Sequence, residues 1–166
     1  MGAGVLPVAR RGGEVVFLLG RETCDGKWSD FGGTREGRET RWQTAIREGA
    51  EELCGFLGRA QDLAARVKRN WVAEVQAGAC TTYVFEIDYD PLLPAYFNNH
   101  HKFISSHSPE AVKANNGLFE KSSVEWFSVA DLKKRRGSFR RFYRVLVDEL
   151  IRRGGEIAGC MTPSSS

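Results

Sequence analysis

The chain of 166 residues is long enough for one domain with a sizeable core, and its 27% charged and 42% apolar residues are ordinary for a soluble globular protein. Its first residues lack the basic and apolar regions of a secretory signal, and no apolar run approaches the length that spans a bilayer. The cysteines are widely spaced, which argues against a zinc site or a disulfide framework. We therefore expect a cytoplasmic protein in a reducing compartment and no membrane partner. The nucleus is the alternative location.

Strands are predicted at the start of the chain. Gly4 to Ala9 and Val15 to Leu19 are rich in β-branched and apolar residues, and the Arg11-Gly12-Gly13 segment between them predicts a hairpin. A turn-like segment over residues 24–30 leads into a short strand predicted around Phe31 to Thr34.

A helix is predicted directly after this strand. Thr40 and Gln43 have the spacing of a capping box. Apolar residues recur at helical spacing and predict a buried stripe. The stripe consists of Trp42, Ile46, Gly49, Ala50 and Leu53. We expect Gly49 to allow close approach to a sheet, and we expect the acidic residues of the helix to face outward.

Acidic residues share the other face of this helix, because residues three and four apart are neighbours. They are Glu48, Glu51 and Glu52. Keeping crowded carboxylates ionised is costly, and a hard divalent cation relieves that cost by taking several oxygen ligands. A solvated acidic face is the alternative interpretation, but Arg47, Glu39 and the Gly32-Gly33 pair stand at fixed offsets that such a face would not require.

This pattern resembles the signature of the Nudix hydrolases, G-x5-E-x7-R-E-U-x-E-E-x-G-U, in which U is a bulky apolar residue. The residues in register with it are Gly33, Glu39, Arg47, Glu48, Glu51 and Glu52. Gly49 replaces an apolar residue, and Cys54 replaces the closing glycine. We expect the helix to run one residue longer, with Gly55 as its left-handed cap and Phe56 in the apolar role.

The resemblance also implies functional roles. It implies that Glu48, Glu51 and Glu52 bind Mg²⁺ or Mn²⁺, and that one of them or a nearby acid activates the attacking water. It implies that Arg47 orients these acids and that Glu39 supports the site. In the same way, Gly32 and Gly33 would let the backbone approach the substrate phosphates.

The second half of the chain is predicted to contain helices and further strands. The predicted segments are a helix at 61–68, strands at 71–75 and 81–88, a loop or short helix at 96–104 and a strand at 124–128. A final helix is predicted to be capped by Ser138 and to end at Gly154-Gly155. Strands interrupted by two major helices suggest an α+β fold, and the resemblance implies a Nudix-like α/β/α sandwich with a mixed central sheet. We expect a single domain over residues 1–160 and a disordered tail over 161–166.

Candidate residues also lie outside the signature. Glu120, just before the late strand, is a candidate to complete the metal site or to serve as the base. Trp28, Tyr96 and Phe97 are candidates to stack on a base, and packing is the alternative for Tyr96 and Phe97. Trp126 and Trp71 are expected in the core.

The resulting hypothesis is a metal-dependent pyrophosphohydrolase that cleaves the diphosphate link of a small nucleotide or dinucleotide. An RNA 5' end or cap is the alternative substrate, because the chain carries a net charge of +3 and its last quarter is basic. The basic residues are Lys133, Lys134, Arg135, Arg136, Arg140, Arg141, Arg144, Arg152 and Arg153. A solvated helix face is the other interpretation of this stretch. A catalytically silent nucleotide-binding module is the alternative from another class, and the sequence leaves the oligomeric state open.

Overall fold

The structure is a computed structural model that describes residues 2–114 and 116–163. Within these described ranges, seven strands form one sheet. They are β1 (Gly2–Arg11), β2 (Glu14–Glu22), β3 (Trp28–Ser29), β4 (Phe31–Thr34), β5 (Trp71–Ala77), β6 (Cys80–Glu86) and β7 (Lys121–Ser128).

The sheet is mixed, and β1 lies at its centre. β1 pairs in antiparallel fashion with β2 through one half and with β4 through the other. It also pairs with β6 in parallel over its whole shared length. β7 pairs with β2, and β5 pairs with β6, both antiparallel. The predicted hairpin between the first two strands is confirmed, with Gly12 in the left-handed region at φ 61°.

Helices cover both faces of the sheet. They are α1 (Arg41–Glu52), α2 (Ala60–Arg69), α3 (Leu93–His107), α4 (Pro109–Lys113), α5 (Val129–Lys134) and α6 (Arg144–Cys160), with short 3₁₀ turns at Arg136–Ser138 and Arg141–Tyr143. Buried residues of α1, α2 and α3 pack on one face, and those of α5 and α6 pack on the other. The predicted α/β/α sandwich is therefore confirmed. No helix among the described residues combines the length and the apolar character needed to cross a membrane.

The final helix differs from its prediction at both ends. Ser138 closes a 3₁₀ turn, in which its hydroxyl donates to the carbonyl of Arg135 at 2.7 Å, and α6 begins only at Arg144. The helix also continues through Gly154, which is buried against Val129 of α5. Packing between α5 and α6 thus outweighs the low helix propensity of the two glycines.

Two other expectations also change. Trp71 was expected in the core, but it lies on the edge strand β5 with 42% of its surface exposed and packs beside Tyr83. Beyond residue 160 the described chain still packs on the domain. Met161 is buried, and the Thr162 backbone amide donates to the Glu86 carboxylate. Residues 164–166 of the expected tail lie outside the described residues.

Candidate active site

Helix α1 is held tightly against β1. Its capping box is present as predicted. The backbone N–H of Gln43 donates to the Thr40 hydroxyl at 3.2 Å, and the backbone N–H of Thr40 donates to Gln43 Oε1 at 2.8 Å. A Cβ on Gly49 would lie 2.5 Å from Cγ2 of Val5, so the expected close approach to the sheet is confirmed. This contact brings the carboxylates of α1 alongside β4.

Arg47 organises one side of the site. Its Nε donates to Glu39 Oε1 at 2.8 Å, its Nη1 donates to Glu48 Oε1 at 2.9 Å, and Nη1 also lies 3.4 Å from Glu51 Oε2. The bonds from Arg47 lower the pKa of Glu39 to about 2, and the pairing with Glu39 raises the pKa of Arg47. Arg47 thus contacts each of these acids, which is the arrangement expected of an orienting residue.

Glu48 and Glu51 are half-buried and partly exposed to solvent. Burial raises the pKa of both carboxyls, Arg47 lowers it, and the nearby charge of Glu120 raises it again. Glu48 also lies against the backbone of β4, because a Cβ on Gly33 would come within 2.5 Å of Glu48 Oε1. Only glycine leaves room for this approach between the carboxylate and the strand.

Glu52 does not face outward as expected. It is buried, and its Oε2 accepts a hydrogen bond from the Gly32 amide at 2.7 Å. Its Oε1 lies 3.4 Å from Nζ of Lys121, which is also buried. Burial raises the pKa of Glu52 well above its usual range, and the Lys121 charge and the Gly32 amide act in the opposite direction.

Lys121 and Glu22 are site residues that the sequence analysis missed. Lys121 Nζ forms an ion pair with Glu22 Oε1 and donates to the Ser29 hydroxyl at 2.8 Å. These groups come from β7, β2 and β3, and Lys121 and Glu22 are separated by 99 residues. No local spacing in the sequence indicates such a contact.

Glu120 is brought to the site as the sequence analysis expected of a distal acid. One carboxylate oxygen of each of Glu22, Glu52 and Glu120 lies within 4.8 Å of the other two. Glu120 is exposed, whereas the other two are buried. Carboxylate oxygens are the ligands that a hard divalent cation prefers, but in this cluster Glu22 and Glu52 already pair with the Lys121 ammonium.

The end of α1 corrects the expected helix extension. The helix ends at Glu52, and both Cys54 and Gly55 have left-handed backbones, with φ values of 49° and 76°. Cys54 thus adopts the conformation that the glycine of the signature would supply. The proposed longer helix is wrong, because the left-handed turn begins at residue 54.

A cleft of about 380 Å³ adjoins the carboxylates. It shares the backbone of Gly32 and Gly33 with the site, and Asp30 contributes to its lining. Arg140 and Phe142 also line it, with the guanidinium 5.2 Å from the centre of the ring, and Phe142 is 54% exposed. No motif in the sequence assigns these cleft residues to a substrate.

The predicted base-stacking residues have different environments. Trp28 is buried against Phe127, with ring centroids 5.0 Å apart, and Phe97 is buried against Phe56 at 5.2 Å. Both belong to the hydrophobic cores, so stacking on a base is wrong for them. Tyr96 is exposed on α3 and remains a prediction.

The basic last quarter is largely neutralised by internal contacts. Arg135 pairs with Glu125, Arg136 with Asp148, Arg152 with Glu149 and Arg153 with Glu156. Arg144 donates to the carbonyls of Phe139 and Gly137. Most of these guanidiniums are therefore already engaged on the surface of this domain.

Residues 1–149 match the model of the NUDIX domain. The chain therefore belongs to the Nudix family of hydrolases, and it is an enzyme that acts on pyrophosphate bonds. The resemblance recognised in the sequence is confirmed.

Solved structures share the fold. An Ap4A hydrolase from C. elegans, solved as a binary complex, aligns with a TM-score of 0.58 at 16% identity, over 96% of this chain and 99% of that one. A bifunctional NMN adenylyltransferase/ADP ribose pyrophosphatase from Francisella tularensis, complexed with AMP and a Mn ion, aligns with a TM-score of 0.55 at 17% identity, over 91% of this chain and 40% of that one. A comparison with curated protein sequences gives no match.

Proposed function

We propose that this protein is a metal-dependent pyrophosphohydrolase that cleaves the diphosphate link between a nucleoside and another group. The observation that carries the proposal is the position of Glu48, whose carboxylate packs on the backbone of Gly33, because the backbone of Gly32 and Gly33 also lines the cleft. A substrate diphosphate bound against the backbone of Gly32 and Gly33 would lie between the carboxylates of α1 and the cleft.

The residues of the chain have separable roles in this proposal. Glu48, Glu51 and Glu120 would hold Mg²⁺ or Mn²⁺. When bound, such a cation neutralises phosphate oxygens and makes water more acidic. Arg47 donates to Oε1 of Glu48, which leaves Oε2 to accept the proton of the attacking water. Burial raises the pKa of the Glu48 carboxyl, which makes its carboxylate a stronger base.

The cleft supports a nucleoside as the remaining part of the substrate. Phe142 offers an exposed ring, and base–aromatic stacking is worth about 1–3 kcal/mol. Arg140 lines the same wall, where its guanidinium lies 3.3 Å from Glu22 and 3.4 Å from Asp25, and it would turn from these carboxylates to a substrate phosphate. The two structural neighbours are named for Ap4A and ADP ribose, which are both nucleotides with anhydride links.

The experiment is a hydrolysis screen with Mg²⁺ or Mn²⁺ over nucleoside triphosphates, dinucleoside polyphosphates, nucleotide sugars and capped RNA. For the best substrate, we expect Glu51→Gln to lower kcat by at least about a hundredfold, because it removes a proposed metal ligand. The thermal midpoint of the metal-free protein should change little, since Glu51 is partly exposed.

The matched control is Glu36→Gln. Glu36 also lies near Arg47, at 3.8 Å, but its side chain is 74% exposed and it lies outside the proposed metal site. We expect nearly native turnover for this variant. Native turnover in Glu51→Gln would contradict the assignment, and no hydrolysis of any substrate by the wild type would favour the silent binding module.

A further inference from the structure

Lys121 is a buried cation in the middle of the acidic site. Its side chain is fully enclosed, and three oxygen atoms surround Nζ. These atoms are Oε1 of Glu22, Oε1 of Glu52 at 3.4 Å and Oγ of Ser29 at 2.8 Å. A charge taken out of water is costly unless it is paired and hydrogen bonded. Lys121 meets both conditions.

The oxygen atoms around the ammonium are of the kind that a hard metal ion takes as ligands. Two carboxylate oxygens and a hydroxyl converge on one point, and that point holds Nζ. A divalent cation bound to the same oxygen atoms would lie close to the ammonium, and two positive charges in a buried setting repel strongly. The ammonium and a metal ion therefore exclude each other at this position.

The ammonium also fixes the geometry of the adjoining backbone. Glu52 contacts Lys121 through Oε1 and the Gly32 amide through Oε2. Glu48 packs on the neighbouring Gly33. Because the Glu52 carboxylate is held by Lys121 on one side and by Gly32 on the other, Gly32 stays at a fixed distance from α1. The strand β4, against which Glu48 packs, is fixed in the same way.

We propose that Lys121 is a positioning residue whose ammonium permanently occupies one cation position of the site, between Glu22 and Glu52. The divalent metal is then held by Glu48, Glu51 and Glu120 on the solvent side. This inference rests on the proposed function for the existence of the solvent-side metal. It assigns to Lys121 a fixed positive charge that needs no metal to be present.

The experiment counts Mn²⁺ ions bound by the full chain, by following free Mn²⁺ in the electron paramagnetic resonance spectrum during titration. Lys121→Met removes the ammonium and keeps an apolar stem of similar length. We expect this variant to bind one Mn²⁺ more than the wild type. We also expect its metal-free thermal midpoint to be lower and to rise further on Mn²⁺ addition, since a cation binding only the folded state stabilises it.

Two further variants keep the test decisive if Lys121→Met does not fold. Lys134→Met, at an exposed lysine of α5, is the matched control and should bind as many Mn²⁺ ions as the wild type. Glu22→Gln in the wild-type background should also keep the native number, because Glu22 is already paired with Lys121 and Arg140. Loss of a Mn²⁺ ion from Glu22→Gln would overturn the inference.

The failures of the two proposals are distinguishable. If the wild type binds no Mn²⁺ at all, the proposed function fails. If the wild type binds Mn²⁺ and folded Lys121→Met binds the same number with the same rise in thermal midpoint, only the role of Lys121 fails.

Discussion

Asp30 lies in the wall of the cleft, where burial opposes its negative charge. Its carboxylate accepts a hydrogen bond from the Thr82 hydroxyl. Burial raises its pKa from 3.8 to about 6, and the bond from Thr82 offsets part of that rise. The Tyr143 hydroxyl, also buried at this cleft, has no hydrogen-bond partner among the described residues. The cleft thus contains polar groups whose pairing is incomplete.

The raised pKa of Asp30 predicts a pH-dependent effect of Asp30→Asn. The folded state binds this proton more tightly than the unfolded state, so Asp30 lowers the stability as the pH rises from 3.8 to about 6. Above pH 6 the full cost is about 3 kcal/mol, since each pKa unit corresponds to roughly 1.4 kcal/mol. We expect Asp30→Asn to raise the free energy of unfolding at pH 7.5 by up to this amount.

Denaturant unfolding of both proteins from pH 4 to pH 8 checks this expectation. The difference should shrink as the pH falls towards 4, where Asp30 is protonated in the folded state and only partly ionised in the unfolded state. Asp88→Asn, at an exposed carboxylate, is the control and should show no such trend. A difference that stays constant with pH would show that the side-chain shape, and not the charge, causes the effect.

Single residues of the site could be predicted where the contacts are local. Glu39, Arg47, Glu48 and Glu51 lie within one helix and its approach, so their spacing alone indicates that they meet. The partners of Lys121 come from other strands, and only the completed sheet brings them together. The apolar stripe of α1 also predicted an exposed Glu52. This carboxylate is buried instead, because the Lys121 ammonium compensates its charge.

At the scale of elements, the end of α1 contains a strained backbone position. Cys54 adopts a left-handed backbone at φ 49°, which is unfavourable for a residue with a Cβ. The turn nevertheless joins α1 to the segment that leads into α2, and it takes the place of the glycine in the family signature. Gly55, the next residue, also has a left-handed backbone, at φ 76°.

We expect opposite effects from exchanging side chains in this turn. Cys54→Gly should raise the free energy of unfolding by up to about 1 kcal/mol, because it removes the left-handed strain. Gly55→Ala should lower it by about 1 kcal/mol, because a Cβ is introduced at positive φ. Thermal and denaturant unfolding of the two variants provide the measurement.

The control for this pair is Cys54→Ala. It removes the half-buried thiol but keeps a Cβ in the left-handed conformation, so it should be less stable than Cys54→Gly. If Cys54→Gly were less stable than Cys54→Ala, residue 54 would not be strained. Equal stability of Gly55→Ala and the wild type would similarly exclude a left-handed residue 55.

Elements were predictable where one pattern dominated. The strand at Phe31–Thr34 and the capping box of α1 follow from local residue types. The start of α6 could not be predicted in this way. Phe139 and Tyr143 continue the apolar pattern of the helix, but they belong to the segment before it. An apolar stripe reports which side chains are buried, but it does not report where the helical backbone begins.

For the whole molecule, the internal ion pairs limit how strongly the protein attracts a polyanion. We expect the KM for the best nucleotide substrate to rise less than about tenfold between 50 and 200 mM salt, because few phosphate contacts release few counterions. Arg140→Ala should raise KM, while Lys133→Ala, at an exposed lysine on α5, should leave it unchanged. Initial rates at each salt concentration provide the measurement.

An RNA substrate would give a different result. A protein that makes 6–10 phosphate contacts loses roughly 10³–10⁵ in affinity over the same range of salt. A loss of that size, together with a raised KM for Lys133→Ala, would contradict a small nucleotide and favour RNA.

The central position of β1 has a consequence for the synthesis of this protein. β1 leaves the ribosome before the other described strands of this sheet, but its parallel partner β6 comprises residues 80–86. Arg10 at the end of β1 also donates to the carbonyl of Ala158 at the C-terminal end of α6. At about 5–20 residues per second, the nascent β1 waits several seconds for β6 and longer for α6. Throughout that interval, the newly made hairpin presents apolar surface that a molecular chaperone can bind.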